Sequence, residues 1–206
     1  MDNSLKLIVG LGNPGSRYEQ TRHNAGFWFA DLLAERGKAR FAAESRFQGE
    51  LARMVLVGEE VRLLKPATFM NLSGQSVGAV ARFFKLAPDQ ILVAHDELDL
   101  PPGTARLKLG GGHGGHNGLR DLIRHLGAEF WRLRIGIGHP GHRDDVTDFV
   151  LTRAPAGEQT LIDDVLKDAA DAVEKMLAQG AERAMHQLHS RGVEAKPYRK
   201  PNAADV

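Results

Sequence analysis

Two short apolar runs, LKLIVG at residues 5–10 and ILVAH at residues 91–95, limit the fold most. Each is too short for a helix and too continuously apolar for a strand with one wet face, so each reads as a strand buried on both sides. A sheet covered on both faces needs helices above and below it. The sequence supplies them. Residues 24–36 carry Phe27, Trp28, Leu32 and Leu33, and residues 73–85 carry Val77, Val80, Ala81 and Phe84 at helical spacing. Another helix follows a glycine loop through Leu126, and residues 161–189 read as one long amphipathic helix. Further strands are expected at 47–57, 61–65, 105–109 and 132–138, the first two joined by a turn at Gly58, Glu59 and Glu60. The expected fold class is α/β: a single-domain three-layer sandwich with a mixed, mostly parallel twisted sheet flanked by helices. Residues 1–190 form that domain. Residues 191–206, with two prolines and little apolar content, read as a disordered tail.

The chain of 206 residues has no cysteine, which excludes disulfide frameworks, cysteine-ligated zinc, iron–sulfur clusters and a cysteine nucleophile. The N-terminal apolar run is too short for a signal-peptide core, and nothing approaches the ~18 apolar residues of a membrane span. The expectation is a soluble cytoplasmic chain. The net charge of +1 hides an asymmetry. Residues 103–143 hold seven Lys/Arg (Arg106, Lys108, Arg120, Arg124, Arg132, Arg134, Arg143) against Asp121 and Glu129, so the rest of the chain is net acidic. A basic segment on a near-neutral protein is either a solvated surface or one face that meets a polyanion.

In α/β sheets, ligands gather at the carboxyl ends of the parallel strands. Asn13 follows the first apolar run, Asp96 follows ILVAH, and the glycine loop 110–115 follows the strand at 105–109. The segment GLGNPG (residues 10–15) matches a dinucleotide fingerprint, but no helical stripe begins on it. It reads better as a turn that aims Asn13 into a cleft. The loop GGGHGG has five glycines in six residues, a cost in backbone entropy that implies a need for freedom: closure over a ligand, or N–H groups offered to oxygens. His113 with His116, and His139 with His142, are spaced i,i+3 without a helix or an acid among them, so no metal is expected. No G-x-S-x-G elbow occurs, which disfavours a serine nucleophile. His95 reads as structural, and His186 and His189 as surface residues. That leaves His23 and Asp96 with Asn13, Asn71 and Asn117. A histidine beside a carboxylate is a minimal general base, and amide N–H groups stabilise an oxyanion. The set suits hydrolysis of an activated ester or amide by water. Two other readings stay open: a nucleotide-binding oxidoreductase resting on GLGNPG, and an RNA-binding module without catalysis.

Four long blocks, GLGNPGSRYEQTRHNAGFWFAD, LLKPATFMNLSGQSV, ILVAHDELDLPPGTARLKLGGGHGGHNGLRDLI and FWRLRIGIGHPG, resemble the bacterial peptidyl-tRNA hydrolase family. The resemblance runs from about Leu5 to His189 and departs at none of the family's functional positions. It implies a cytoplasmic, monomeric hydrolase that cleaves the ester between a peptide and the 3′-terminal ribose of tRNA, with no metal, no cofactor and no membrane partner. By the same resemblance His23 is the general base, Asp96 its supporting carboxylate, and Asn13 the residue that separates N-blocked from free aminoacyl esters. Tyr18, Phe69, Asn71 and Asn117 then correspond to substrate-binding residues, Met70, Gly114 and His116 to further cleft-lining positions, and Lys108 and Arg134 to basic residues that meet the tRNA.

Overall fold

The computed structural model describes residues 5–191. In chain order the elements are β1 (Leu7–Gly10), α1 (Ala25–Arg36), β2 (Ala42–Glu44), β3 (Gly49–Leu56), β4 (Glu59–Pro66), α2 (Ser73–Phe84), β5 (Ile91–Glu97), β6 (Ala105–Leu109), α3 (Asn117–Leu126), β7 (Trp131–Gly136), α4 (Val146–Val150), α5 (Ala156–Gln179) and α6 (Ala181–Arg191). One seven-stranded sheet has the order β2-β3-β4-β1-β5-β7-β6. Strands β4, β1, β5 and β7 are parallel, and β2, β3 and β6 add antiparallel at the edges.

The period of two along each strand divides the core into two layers. Ile8, Leu63, Leu92, Ala94, Leu107, Leu133 and Ile135 face α1, α5 and α6. Leu7, Val9, Leu64, Ile91 and Val93 face α2 and α3. These side chains are almost wholly buried, which accounts for the unbroken apolar runs of β1 and β5. The three-layer α/β sandwich with a mixed sheet is therefore as expected from the sequence.

Glycines decide how closely α1 approaches the sheet. A Cβ on Gly26 would lie 2.3 Å from the Ala94 carbonyl oxygen and 2.4 Å from the Leu11 nitrogen, and one on Gly10 would lie 2.2 Å from the Gly26 carbonyl oxygen. The first turn of α1 thus rests directly on the ends of β1 and β5. Gly12 is likewise filled against, by the Phe27 ring. The glycines of GLGNPG serve helix-to-strand contact, and no helix starts on that turn to receive a pyrophosphate: α1 begins ten residues later, preceded by a single 3-10 turn at Arg22–Asn24.

Three features differ from the sequence reading. The stripe expected as one helix over 161–189 is two helices: Gly180, at φ +90°, breaks the helix between α5 and α6, and α5 starts earlier, at Ala156. The apolar spacing carries across the break because Ala184 and Leu188 pack into the same layer. Second, β6 is antiparallel to β7, with Leu109 opposite Trp131, so the glycine loop leaves the sheet at the amino ends of the parallel strands rather than the carboxyl ends. Third, β2 and α4 are too short to give a periodic signal. Arg191, placed in the tail by its composition, ends α6 and pairs with Asp168. Residues 192–206 lie outside the described residues. No helix among the described residues is long and apolar enough to cross a membrane.

Gly26→Ala forces either α1 or the β1 and β5 ends to move. The expected loss is about 1–3 kcal/mol, the usual cost of overpacking, measured by urea unfolding. A variant as stable as the parent would show that the approach of α1 is not set here.

Candidate active site

Asp96 follows Leu92 and Ala94 on the α1 side of β5, near the carboxyl end of the strand. It is 4 % exposed. A buried carboxylate is costly unless its oxygens accept hydrogen bonds. Two imidazoles supply them. His23, in the 3-10 turn ahead of α1, places Nδ1 2.9 Å and 3.0 Å from the two carboxylate oxygens. His116 approaches from the other side and places Nε2 2.9 Å from Oδ1.

The proton positions follow from the partners. His116 is the N-cap of α3, and its Nδ1 accepts from the backbone N–H groups of Gly118 and Leu119 at 3.2 and 3.3 Å. Its proton therefore sits on Nε2, which donates to Asp96. His23 donates from Nδ1 to Asp96, which leaves the Nε2 lone pair as the basic site of a ring that lines the cavity. Burial pushes the His23 pKa down, but the charge of Asp96 and the hydrogen bond to it push harder, and the result lies above the ordinary value of 6.5. Burial would raise the Asp96 carboxyl, but the two histidines hold it well below the usual carboxylate range. His95 packs edge-on against His116, with ring centroids 5.1 Å apart, and its Nδ1 donates to the Asp96 carbonyl at 2.8 Å. Burial, reinforced by His116, pushes its pKa down to about 3. His95 is neutral throughout the range in which proteins work.

The glycine loop explains how His116 arrives. It starts at the opposite end of the sheet and runs back along β7 to the site. The buried Arg132 of β7 ties it down by donating to the carbonyls of Gly111 and Gly112. Gly110, Gly111, Gly114 and Gly115 all have positive φ, which side-chain-bearing residues rarely adopt.

Asn13 is 8 % exposed, and its carboxamide is fixed. Its Oδ1 accepts from the Met70 N–H at 2.8 Å, and its backbone exchanges two hydrogen bonds with the Asn24 side chain. With Oδ1 taken, the amide N–H₂ is the group left for a ligand. Asn117 is held similarly, its Oδ1 accepting from Arg120 at 3.1 Å.

These groups border one cavity of about 380 Å³. Asn13, His23, Asp96 and His116 meet Phe69, Met70, Asn71, Gly114 and Asn117 there. Tyr18 does not line it but stands edge-on to the exposed Phe69, with centroids 6.4 Å apart. Lys108 and Arg134 lie in an adjoining pocket of about 280 Å³, which shares His95, Glu97, His113 and Gly114 with the cavity. Arg134 is ion-paired there with Glu97 at 2.9 Å. Sequence reasoning missed one wall altogether: Val146, Thr147, Val150 and Leu151, from α4 and its end. It also took His189 for a surface residue, whereas its Nε2 accepts from the Leu107 N–H of the edge strand β6 at 3.1 Å.

Among the described residues, His23, Asp96 and His116 form a group that could hold a cation, with ligand atoms within 4.8 Å of one another. Each of those atoms is already hydrogen-bonded within the set, so the geometry closes as a network of two N–H donors on one carboxylate. The arrangement can activate water: a carboxylate-backed imidazole with a free lone pair, beside fixed amide donors in a half-dry cleft.

An NMR titration of the imidazole resonances tests this electrostatic picture. His23 is expected to titrate above the ordinary histidine value, and in Asp96→Asn to fall below it, because burial then acts unopposed. A His23 midpoint that does not respond to Asp96→Asn would break the pairing.

The family model described as "Peptidyl-tRNA hydrolase" matches residues 7–196. Proteins named peptidyl-tRNA hydrolase from Yersinia pestis and Shewanella loihica are each 57% identical over 190 residues, covering 91% of this chain and 97% of theirs. The crystal structure of peptidyl-tRNA hydrolase from Acinetobacter baumannii is 52% identical, with a TM-score of 0.88 over 91% of this chain and 95% of that one.

Proposed function

The chain belongs to the peptidyl-tRNA hydrolase family, and on that premise we propose a mechanism in which His23 is the general base. The reaction is hydrolysis of peptidyl-tRNA: water cleaves the ester that joins the peptide carboxyl to the terminal ribose, and peptide and tRNA separate. His23 Nε2 takes a proton from water as the water oxygen bonds to the ester carbonyl carbon. Asp96 accepts from Nδ1, holds the tautomer and stabilises the imidazolium. The amide groups of Asn13, Asn71 and Asn117 donate to the oxyanion or to the neighbouring peptide carbonyl. The tetrahedral intermediate then expels the ribose oxygen, which takes the proton from His23. The observation that carries this reading is the His23–Asp96 pair, at 2.9 Å, opening on the cavity.

The basic pocket of Lys108 and Arg134 receives phosphate of the tRNA, while Tyr18 and the exposed Phe69 offer aromatic surface at the rim. Met70, Gly114 and His116 shape the cleft. The enzyme works as a cytoplasmic monomer, without metal, cofactor or membrane partner.

Release of tRNA from N-acetyl-aminoacyl-tRNA, measured with EDTA present, tests the function. His23→Ala is expected to stay folded and bind substrate but lose about 10²–10⁴-fold in kcat, the usual contribution of a general base. Asp96→Asn should lose less, since it supports the base. Near-parental kcat in folded His23→Ala sinks the mechanism.

Asn13→Ala should erode selection rather than abolish turnover. A peptidyl ester presents an amide carbonyl beyond its α-nitrogen, whereas a free aminoacyl ester presents an amine that is often cationic. An N–H₂ donor placed at that carbonyl pairs with the first and finds no acceptor on the ammonium of the second. A donor left unpaired costs about 1–3 kcal/mol, enough to discriminate. The ratio of kcat/KM for N-acetylated and free aminoacyl-tRNA is the measure, and an unchanged ratio in Asn13→Ala assigns selection elsewhere in the cleft.

A further inference from the structure

Arg22 adjoins the general base in sequence yet takes no part in the network around Asp96. It is 5 % exposed. Its Nη1 donates to the carbonyls of Phe149 and Thr152 at 3.1 and 3.4 Å, and to the Thr152 hydroxyl at 3.0 Å. Nη2 meets the Glu158 carboxylate at 3.3 Å. The guanidinium lies over the Phe149 ring, 4.0 Å from its centroid, and the Arg22 backbone N–H donates to the Thr152 carbonyl at 3.1 Å.

All these partners belong to one piece of chain: the end of α4, the turn after it and the first turn of α5. That same piece supplies the cavity wall of Val146, Thr147, Val150 and Leu151. A five-residue helix has no stability of its own, so its place depends on tertiary contacts. On its other side the chain is held by the Gly138 N–H donating to the Leu100 carbonyl at 2.9 Å and by local turn bonds, none of which reaches α4 itself. Arginine is suited to the task, with several donors in one rigid plane and a face that stacks. The half-exposed Glu158 adds little, so the buried carbonyl and ring contacts do most of the holding.

We infer that Arg22 is a positioning residue that fixes the α4 wall relative to the His23 ring and thereby sets the fit of the acyl group. The inference rests on the reading of this cavity as the ester site. Val146, Val150 and Leu151 give the wall an apolar surface suited to an acyl side chain, and the cations Lys108 and Arg134 lie in the adjoining pocket instead. Loosening the wall weakens a contact that ground state and transition state share, which raises KM and leaves kcat nearly unchanged. The His23–Asp96 bonds share no atom with Arg22, so the acid limb of the pH profile stays in place.

The test is steady-state hydrolysis of N-acetyl-aminoacyl-tRNA across the range in which His23 titrates, at temperatures well below each variant's Tm. Arg22→Gln is expected to raise KM by about tenfold with kcat within about threefold, the pattern of lost uniform binding. Arg22→Lys should fall between, since it restores the charge but not the fan of donors or the stack. A purely structural role lowers Tm and leaves KM alone. A role acting on the base lowers kcat or moves the acid limb. Either result overturns the inference. If Arg22→Gln does not fold, Phe149→Leu removes the stacked ring while leaving the carbonyl acceptors, and a smaller rise in KM is expected. An unchanged KM there overturns it too. A parent enzyme that fails to turn over the ester would instead overturn the reading of the cavity, and the inference with it.

Discussion

The rest of the molecule is arranged around a carboxylate that has almost no water. Asp96 stays charged at the end of a buried strand because two imidazole N–H groups replace its solvent. Both donors must come from outside the strand, and each arrival has a structural cost. His23 reaches Asp96 because α1 lies against the ends of β1 and β5, an approach that Gly10 and Gly26 make possible. His116 reaches it because a glycine loop in left-handed conformations runs back from the far end of the sheet, anchored by Arg132. Glycine clusters that look like ligand-binding motifs in the sequence are, in large part, what two histidines need to meet one carboxylate.

His116 stands in ring contact with both His23 and His95, and the partners of the three give them different chemistry. His23 and His116 have ring centroids 5.1 Å apart, as have His95 and His116. His95 spends its Nδ1 proton on a backbone carbonyl and is too buried to charge. His116 gives its Nδ1 lone pair to the N–H groups at the start of α3 and turns Nε2 to Asp96. His23 alone of the three pairs one nitrogen with the carboxylate and keeps the other uncommitted. In the mechanism proposed above, the raised pKa of His23 makes the ring a stronger base, but the neutral form that accepts a proton is lost sooner as pH falls.

The sequence made the sheet legible because β1 and the first four residues of β5 are buried on both faces and carry no polar side chain to blur the run. Residue types also singled out Asp96 and Asn13, which stand at or just past strand ends, and His23, which stands just ahead of a helix start. Less local facts stayed hidden. The antiparallel sense of β6 has no signature in ARLKL, so the path of the glycine loop was misplaced. A five-residue α4 cannot show a period, yet it forms a wall of the cavity. The break at Gly180 was masked by apolar residues that keep their spacing across it. His116 was legible as a residue near the cleft, but its second role, capping α3, depends on a backbone geometry that histidine does not advertise. Arg22 gave no signal, because its partners lie more than a hundred residues away in sequence.

The alternation of β5 separates two tasks on one strand. Ala94 and Asp96 point toward α1, where His23 lies. His95 and Glu97 point to the other face, where Lys108 and Arg134 line the adjoining pocket. One strand thus presents its carboxylate base-partner on one side and, on the other, a neutral histidine and an acid that pairs with Arg134. A phosphate entering that pocket would compete with Glu97 for the Arg134 guanidinium.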